Sequence, residues 1–188
     1  MKIVVARYNE DISWTTQFPN VIIYNKGLPM ENYSNQIMLP NLGREGQTYY
    51  KHIVENYHTL DDYTVFLQGN PFDHSPNVLL KLNQYLQNPP TKDFEYISEQ
   101  IYKTNLSGCP HHSNLPMQQV YAILFQENRA EMEIEFGAGA QFIVSRKAIH
   151  SNPIEFYQLI LQFLQQSIDP IVGHVFERFH RLIFTKNL

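Results

Sequence analysis

The sequence predicts an α/β domain in which helices flank a mostly parallel central sheet. Short β-branched runs alternate with helix-like segments through the first half of the chain, and this order is typical of parallel strands joined by helices. A chain of 188 residues is long enough to bury a hydrophobic core and is most simply one domain. We therefore expect residues 1–188 to form a single unit.

Three short apolar runs predict buried strands, because each is rich in β-branched residues and bounded by polar, Gly or Pro residues. These runs are Lys2–Ala6, Val21–Tyr24 and Tyr63–Leu67. Between the first two runs, Trp14 and Phe18 are four residues apart, which predicts one or two helical turns.

Two helices are predicted around the third strand. Apolar or aromatic residues recur every four positions through Arg44–Tyr57, which is the spacing of one helix face. Ser75 and Pro76 supply a cap and a first-turn proline for a second helix over Val78–Leu86.

The second half of the chain is less regular. Residues Asn88–Pro116 contain Pro-Pro and Gly-Cys-Pro sequences and are interpreted as a long connection, which in compact domains is usually functional or mobile. The predicted elements that follow are a helix over Met117–Asn128, a Gly-rich approach into a strand over Phe136–Ser145, a helix from Asn152-Pro153 to about Ile168, and a last helix over Ile171–Phe184.

Composition argues against several classes of partner. The net charge of −4 and the pI near 6.0 disfavour a nucleic-acid-binding surface, which is usually basic. No run of 18 apolar residues is present, so no membrane span is expected. The single cysteine, Cys109, cannot form an internal disulfide, and the first apolar run is too short for a signal-peptide core. We therefore expect a cytoplasmic protein.

Polar residues follow each predicted strand and begin the first long helix. The four clusters are Arg7-Tyr8-Asn9-Glu10-Asp11, Asn25-Lys26-Gly27, Asn41-Leu42-Gly43-Arg44-Glu45, and Gln68-Gly69-Asn70 with Asp73-His74. Ligands bind beyond the carboxyl ends of strands in open α/β sheets, so these clusters predict a nucleotide-binding edge. Each cluster alone is also compatible with an ordinary polar turn or a helix cap.

Individual residues suit particular ligand groups. Lys26 can reach a phosphate as a point charge, and Arg44 adds a planar fork at a helix N-terminus, where anions are attracted. Glu45 lies in the same first turn, where the helix dipole favours it whatever the function. Asp73 and His74 can hold a divalent ion if a diphosphate supplies further oxygens, or Asp73-His74-Ser75 can simply cap the next helix.

The histidines of the irregular connection give a weaker signal. His111 and His112 lie beside Cys109, but no second ligand pair at zinc-finger spacing is present. A position on a loop surface is therefore favoured for both.

Taken in order, several segments resemble a poorly characterised domain family of fungal, bacterial and large-virus proteins. The segments are VVARYNEDISW, VIIYNKG, NLGREGQTYYKHIVENY, DDYTVFLQGNPFDH, GAGAQFIVSR and GHVFERFHRLIF. More distantly, their layout is similar to GT-A-type glycosyltransferases, including small viral enzymes that decorate capsid glycans. The resemblance implies a GT-A-like domain over residues 1–188.

The resemblance also implies roles for individual residues. Tyr8-Asn9-Glu10 matches the segment that embraces the nucleotide, and Asn41, Gly43 and Arg44 are nearest to the helix start that lies against the donor. Gly137–Arg146 corresponds to the strand that lines the acceptor pocket. Glu177 is the nearest equivalent of a late acidic residue that often serves as the base.

The sequence departs from the glycosyltransferase pattern at the metal site. Gln68-Gly69-Asn70 stands where Asp-x-Asp is expected, and neutral amides bind divalent ions more weakly than carboxylates do. Three outcomes are open. In the first, Asp73 and His74 bind Mn²⁺ or Mg²⁺ in place of Asp-x-Asp. In the second, Arg7, Lys26 and Arg44 neutralise the diphosphate without a metal. In the third, the chain no longer transfers sugars.

The leading hypothesis is a hexosyl- or deoxyhexosyltransferase that moves sugar from a nucleoside-diphosphate sugar to a glycan or another hydroxyl acceptor. Glu177 or Asp73 is the predicted general base. A non-catalytic nucleotide- or carbohydrate-binding module is the alternative, and a metal-dependent hydrolase that uses Asp73, His74 and His174 is a third. Glu177 can also belong merely to a solvent-exposed helix face with His174, Arg178 and Arg181.

Overall fold

A computed structural model describes residues 1–31, 33, 35–109, 112 and 114–186. Its strands are β1 (Lys2–Arg7), β2 (Val21–Asn25), β3 (Gln36–Met38), β4 (Tyr63–Gln68), β5 (Phe94–Tyr96), β6 (Ile101–Asn105), β7 (Glu133–Gly137) and β8 (Phe142–Ser145). Its helices are α1 (Arg44–Asn56), α2 (Val78–Gln87), α3 (Met117–Phe125), α4 (Arg146–His150), α5 (Ile154–Leu164) and α6 (Ile171–Thr185), with short 3-10 segments at Ser13–Gln17 and Ala138–Ala140. None of these helices is long and apolar enough to cross a membrane.

The central sheet is mixed and has the strand order β3-β2-β1-β4-β8-β5. The first four strands are parallel neighbours, whereas β8 runs antiparallel to both β4 and β5. The α/β class is confirmed, but the prediction of a mostly parallel sheet is wrong. That prediction extended the alternation of the first half to the whole sheet, and β8 pairs with strands that are distant along the chain.

Helices cover both faces of the central sheet and enclose two apolar clusters. Side chains alternate along β1 as in any strand: Val4 faces the larger cluster, which includes residues of α1, α3, α5 and α6, and Ile3 and Val5 face the smaller one with α2. All three side chains are fully buried. Strand β1 therefore lies in the interior of the sheet and is packed on both faces.

The carboxyl ends of β1, β2 and β4 lie level at one edge of the sheet. Ala6 pairs with Tyr24 of β2 on one side and with Gln68 of β4 on the other. Successive strands extend from β1 through β2 to β3, and the chain then returns to place β4 on the opposite side. Such a reversal opens a crevice at the carboxyl ends of the two strands beside it.

A two-stranded antiparallel ribbon of β6 and β7 lies apart from the central sheet. Asn88–Pro116, interpreted from the sequence as an irregular connection, therefore contains both β5 and β6. Each pairs with a strand beyond residue 130, so the local pattern carried no sign of the pairing. The ribbon packs on α6, where Arg181 Nη1 lies 2.6 Å from Glu135 Oε1.

The helix predictions are confirmed for α1, α2 and α6, with small differences at their ends. Helix α3 ends at Phe125 rather than Asn128, because Gln126 adopts a left-handed conformation with φ of 52°. Helix α5 ends at Leu164 rather than near Ile168. The carbonyls that follow it accept hydrogen bonds from the start of α1 instead. Strand β3 and helix α4 were not predicted.

Candidate functional site

A cavity of about 390 Å³ lies at the carboxyl ends of β1, β2 and β4. We call it the first cavity; its lining residues are Ala6, Arg7, Tyr8, Glu10, Lys26, Asn41, Arg44, Glu45, Gln68, Asn70 and Asp73. It occupies the place where the strand order reverses, which is the usual ligand position in open α/β sheets. The clusters predicted from the sequence thus meet in one place, although they are separated along the chain.

Arg7 holds the loop after β1 rather than projecting freely into the cavity. The side chain is buried, and its Nε donates a hydrogen bond to the carbonyl of Glu10 at 3.0 Å. Its Nη1 donates to Asn25 Oδ1 at 2.8 Å and to the carbonyl of Leu28 at 3.0 Å. These bonds join the loops after β1 and β2, so Arg7 shapes the cavity wall whether or not it also contacts a ligand.

Glu10 is folded back onto its own loop. Its Oε2 accepts hydrogen bonds from the backbone N–H groups of Tyr8 at 2.7 Å and Asn9 at 3.1 Å. Gly69 lies against this carboxylate, and a Cβ at Gly69 would lie only 2.6 Å from the same oxygen. Tyr8 is left half exposed, which makes its ring available to a planar ligand.

The loops after β1 and β2 touch at Gly27. A Cβ at this position would lie 1.4 Å from the carbonyl oxygen of Tyr8 and 2.4 Å from Asn9 Oδ1. Asn9 Oδ1 also accepts a hydrogen bond from the N–H of Leu28 at 3.0 Å. Gly27 therefore allows a close approach between two loops of the protein itself, and Asn9 holds those loops together.

We expect Gly27→Ala to lower the free energy of unfolding by about 1–3 kcal/mol, because the added methyl forces the two loops apart. The measurement is urea unfolding of both proteins. Gly108→Ala is the matched control, since among the described residues no atom beyond its chain neighbours lies within 4 Å of a Cβ there. Equal effects of the two substitutions would show that the loops are not in tight contact.

Lys26 crosses from the end of β2 to the start of α1. Its Nζ donates a hydrogen bond to the carbonyl of Leu42 at 2.5 Å and another to the carbonyl of Arg44. Burial lowers the pKa of Lys26 to about 8, and the nearby Glu45 carboxylate opposes that shift. The ammonium group is therefore still mostly protonated at neutral pH, but its donors are directed mainly at backbone oxygens.

The start of α1 has an unusual backbone. Gly43 and Arg44 both adopt left-handed conformations, with φ of 63° and 51°, and a non-glycine residue in this region carries strain of order 1 kcal/mol. Their N–H groups donate to the carbonyls of Ser167 and Ile168. A Cβ at Gly43 would lie 2.4 Å from the carbonyl oxygen of Leu164. The segment after α5 thus directs Arg44 and Glu45 toward the cavity.

Asp73 and His74 line two different cavities. Asp73 lines the first cavity and accepts a hydrogen bond from Asn70 Nδ2 at 3.2 Å. His74 packs on Gly139 and lines a second cavity. Among the described residues no three His, Cys, Asp or Glu side chains converge to hold a metal ion. The hydrolase set of Asp73, His74 and His174 is therefore not assembled, and any ion at Asp73 needs oxygens from a ligand.

The second cavity has a volume of about 310 Å³ and adjoins the first. Its lining residues are Arg44, Glu45, Gln68, His74, Gln100, Tyr102, His112, Phe136, Ala138, Gly139, His174, Glu177 and Arg178. It is formed between the β6–β7 ribbon, the segment after β7 and helix α6. Since both cavities are lined by Arg44, Glu45 and Gln68, two ligands bound there would meet at these side chains.

Glu177 is held on both carboxylate oxygens. Its Oε1 accepts a hydrogen bond from the N–H of Gly139 at 2.9 Å, and its Oε2 accepts one from Arg178 Nη1 at 2.6 Å. Arg178 is only 2% exposed and its guanidinium lies 4.6 Å from the centre of the Phe136 ring. The interpretation of a solvent-exposed helix face is therefore wrong for Arg178, because the ribbon covers this side of α6.

Two histidines meet in the second cavity: His112, for which a loop surface was favoured, and His174, which was predicted only for the hydrolase hypothesis. The rings of His112 and His174 are stacked, with centroids 4.3 Å apart. Burial lowers the pKa of His174, and the Arg44 and His112 side chains add to that effect. His112 is exposed to solvent, as expected for a loop residue, while His111 lies outside the described residues. Only the length of the connection hinted at a functional loop.

Glu45 also lies at the site, although the sequence analysis gave its side chain no ligand-binding or catalytic role. It was explained by the helix dipole alone, yet its side chain is 17% exposed and lines both cavities. Burial raises the pKa of Glu45, and the neighbouring Arg44 guanidinium opposes that shift. The signal available in the sequence was its place beside Arg44 in the third polar cluster.

Comparison with known proteins gives a family but no activity. The family model described as a protein of unknown function (DUF3431) matches residues 3–188. No curated protein and no solved structure matches the chain significantly, so nothing in the comparisons links it to glycosyltransferases. The match confirms the resemblance to a poorly characterised domain family. Because it spans almost the entire sequence, the chain belongs to the DUF3431 family.

Proposed function

We propose that this protein is a glycosyltransferase that moves a sugar from a nucleoside-diphosphate sugar to a hydroxyl acceptor. The observation that carries the proposal is the pair of adjoining cavities at the reversal of strand order, with Arg44, Glu45 and Gln68 common to both. A transferase needs two such sites that meet at the reacting atoms, because donor and acceptor must be held in contact. The GT-A-like assignment of the domain belongs to the same proposal.

The first cavity suits the nucleoside diphosphate. Its wall combines the half-exposed ring of Tyr8 with backbone and amide groups, which fix a base and a ribose. The side chains that line it include three basic ones, Arg7, Lys26 and Arg44, and three acidic ones, Glu10, Glu45 and Asp73. Arg7 and Lys26 donate short hydrogen bonds to protein oxygens, whereas the contacts of Arg44 with Asp169 and Glu45 are longer, at 3.5 and 3.7 Å. Arg44 is therefore the cation best placed for the diphosphate. A divalent ion at Asp73 would supply further neutralisation.

The second cavity suits the acceptor. Tyr102 and Phe136 form an aromatic wall with ring centroids 5.8 Å apart, and aromatic faces commonly pack against sugar rings. Gln100 and His74 add hydrogen-bonding groups. Glu177, the base predicted from the sequence, lies in this cavity, whereas Asp73 lies in the first.

A non-catalytic module that binds nucleotide or carbohydrate is the second candidate. The observation in its favour is Gln68-Gly69-Asn70 in place of Asp-x-Asp, together with the lack of any three-residue ligand group within the described ranges. Such a module would use the same cavities but would not break the sugar–phosphate bond.

Thermal unfolding with UDP, GDP, CMP or dTDP, each with and without Mn²⁺, tests the nucleotide site directly. A ligand that binds only the folded state raises the melting temperature. Stabilisation by one nucleotide is expected, and a larger shift with Mn²⁺ would place a metal in the complex. A folded protein that responds to none of the nucleotides would overturn the transferase proposal.

We expect Arg44→Ala to weaken binding of the stabilising nucleotide by about tenfold to a hundredfold, the usual effect of losing a charge-assisted hydrogen bond. Isothermal titration calorimetry provides the measurement. Arg146→Ala is the control, because Arg146 pairs with Asp62 just before β4 begins, at the opposite edge of the sheet. Equal affinities of Arg44→Ala and Arg146→Ala would remove Arg44 from the diphosphate site.

A further inference from the structure

Glu45 is the one proton acceptor among the side chains that line both cavities. The other two are the Arg44 guanidinium, which is permanently protonated, and the Gln68 amide, which is too weakly basic. Donor and acceptor bound in the two cavities would place the reacting oxygen beside these three groups. A base that serves the transfer must lie within hydrogen-bond reach of that oxygen.

The carboxylate of Glu45 is much less engaged than that of Glu177. It accepts a hydrogen bond from its own backbone N–H, and it forms an ion pair with Arg44 in which Oε2 lies 3.7 Å from Nε, beyond hydrogen-bond distance. Glu177, in contrast, accepts from Gly139 N on one oxygen and from the buried Arg178 on the other. The bond from Gly139 ties the segment after β7 to α6, and the bond from Arg178, within α6, holds the carboxylate in place for that structural task.

The backbone around Glu45 indicates that its position is imposed. The left-handed Arg44 precedes it, and the N–H groups of Gly43 and Arg44 are fixed by the carbonyls of Ser167 and Ile168. Strain of this kind persists only where the surrounding structure holds it, and it is concentrated at functional sites.

We propose that Glu45 is the catalytic base of the transfer, and that Glu177 is a positioning residue that holds the wall of the second cavity. This inference rests on the proposed transferase function. In the step, the acceptor hydroxyl gives its proton to a Glu45 oxygen while the hydroxyl oxygen bonds to the anomeric carbon. The bond from that carbon to the phosphate oxygen breaks, and the nucleoside diphosphate leaves with the electron pair. Glu45 then releases the proton to solvent.

The charged surroundings of Glu45 suit a proton acceptor. Burial raises its pKa, and the Glu177 carboxylate raises it further, while Arg44, the backbone N–H of Glu45 and Lys26 oppose the shift. A base with a pKa nearer to neutrality takes a proton more readily. The acid limb of the pH–rate profile should therefore lie above the ordinary glutamate range, and it should disappear from any residual activity of Glu45→Gln.

Water can replace the acceptor in the test, since it is the smallest hydroxyl nucleophile. Release of nucleoside diphosphate from UDP-glucose, dTDP-glucose, GDP-mannose and GDP-fucose is measured with Mn²⁺ for wild type, Glu45→Gln and Glu177→Gln. We expect Glu45→Gln to lower kcat about 10²- to 10⁴-fold, the usual contribution of a general base, with nucleotide affinity retained. Glu177→Gln should lower kcat tenfold or less, and Glu45→Asp should recover part of the activity.

The outcomes separate the two proposals. If wild type binds none of UDP, GDP, CMP and dTDP, the transferase function itself is overturned. Nucleotide binding by wild type without release from any of the four donors would leave that site standing but exclude a catalytic Glu45. Turnover that survives in Glu45→Gln and is lost in Glu177→Gln would return the role of base to Glu177.

Discussion

Replacing Arg178 with methionine is expected to lower the free energy of unfolding by about 3–5 kcal/mol, the range seen when one partner of a buried ion pair is removed. Arg178 is 2% exposed and donates to Glu177 Oε2 at 2.6 Å and to the carbonyl of His174 at 2.8 Å. Methionine keeps the packing against Phe136 but leaves the Glu177 carboxylate without its cation. Urea unfolding with linear extrapolation gives the measurement.

Arg181→Met is the matched control on the same helix. Arg181 pairs with Glu135 at 2.6 Å, but its side chain is 53% exposed, and exposed ion pairs contribute at most about 1 kcal/mol. The double variant Glu177→Gln/Arg178→Met should be more stable than Arg178→Met alone, because no carboxylate is then left unpaired. Similar losses for Arg178→Met and Arg181→Met would mean that the Arg178 pair is not buried in solution.

The comparison of Arg178 with Arg181 also shows what the sequence could not reveal. Both are basic residues outside the obvious apolar stripe of α6, and helical spacing alone assigns them to the same exposed face. Arg178 is buried only because the β6–β7 ribbon lies over it, and the ribbon depends on pairing between Ile101 and Gly137. Pairing across such a distance leaves no local period in the sequence.

The parts of the fold that the sequence predicted well are those set by neighbouring residues. Strands β1 and β4 and helix α1 have complete local signals, namely β-branched runs and a four-residue aromatic period. The first cavity was predictable for the same reason, since strand ends meet at one edge of a sheet. The second cavity was missed for the most part, because His112, Gln100 and Tyr102 come from a segment with no recognised pattern.

Acid is expected to destabilise this protein strongly through two buried histidines. Burial lowers the pKa of His180 to about 3. Burial also lowers the pKa of His52, to about 4, and the Lys2 ammonium adds a smaller effect in the same direction. Both values lie below the value of about 6.5 for an unfolded chain. Below pH 6.5 the unfolded state therefore binds protons that the folded state excludes, and stability falls as the pH falls. At pH 5 each histidine should reduce the free energy of unfolding by about 2 kcal/mol.

His180→Phe isolates one of these contributions. His180 is 1% exposed, its ring centroid lies 4.5 Å from that of Phe142, and neither ring nitrogen has a hydrogen-bond partner among the described residues. Phenylalanine preserves this aromatic contact and removes the titrating group. As the pH falls from 6 to 4, the free energy of unfolding of the variant should therefore rise by about 2.5 kcal/mol relative to that of wild type. Carboxylates titrate in both proteins, so their contributions cancel when the two free energies of unfolding are subtracted. If the subtracted value stays constant over that pH range, the His180 imidazole is hydrated or protonated in the folded state.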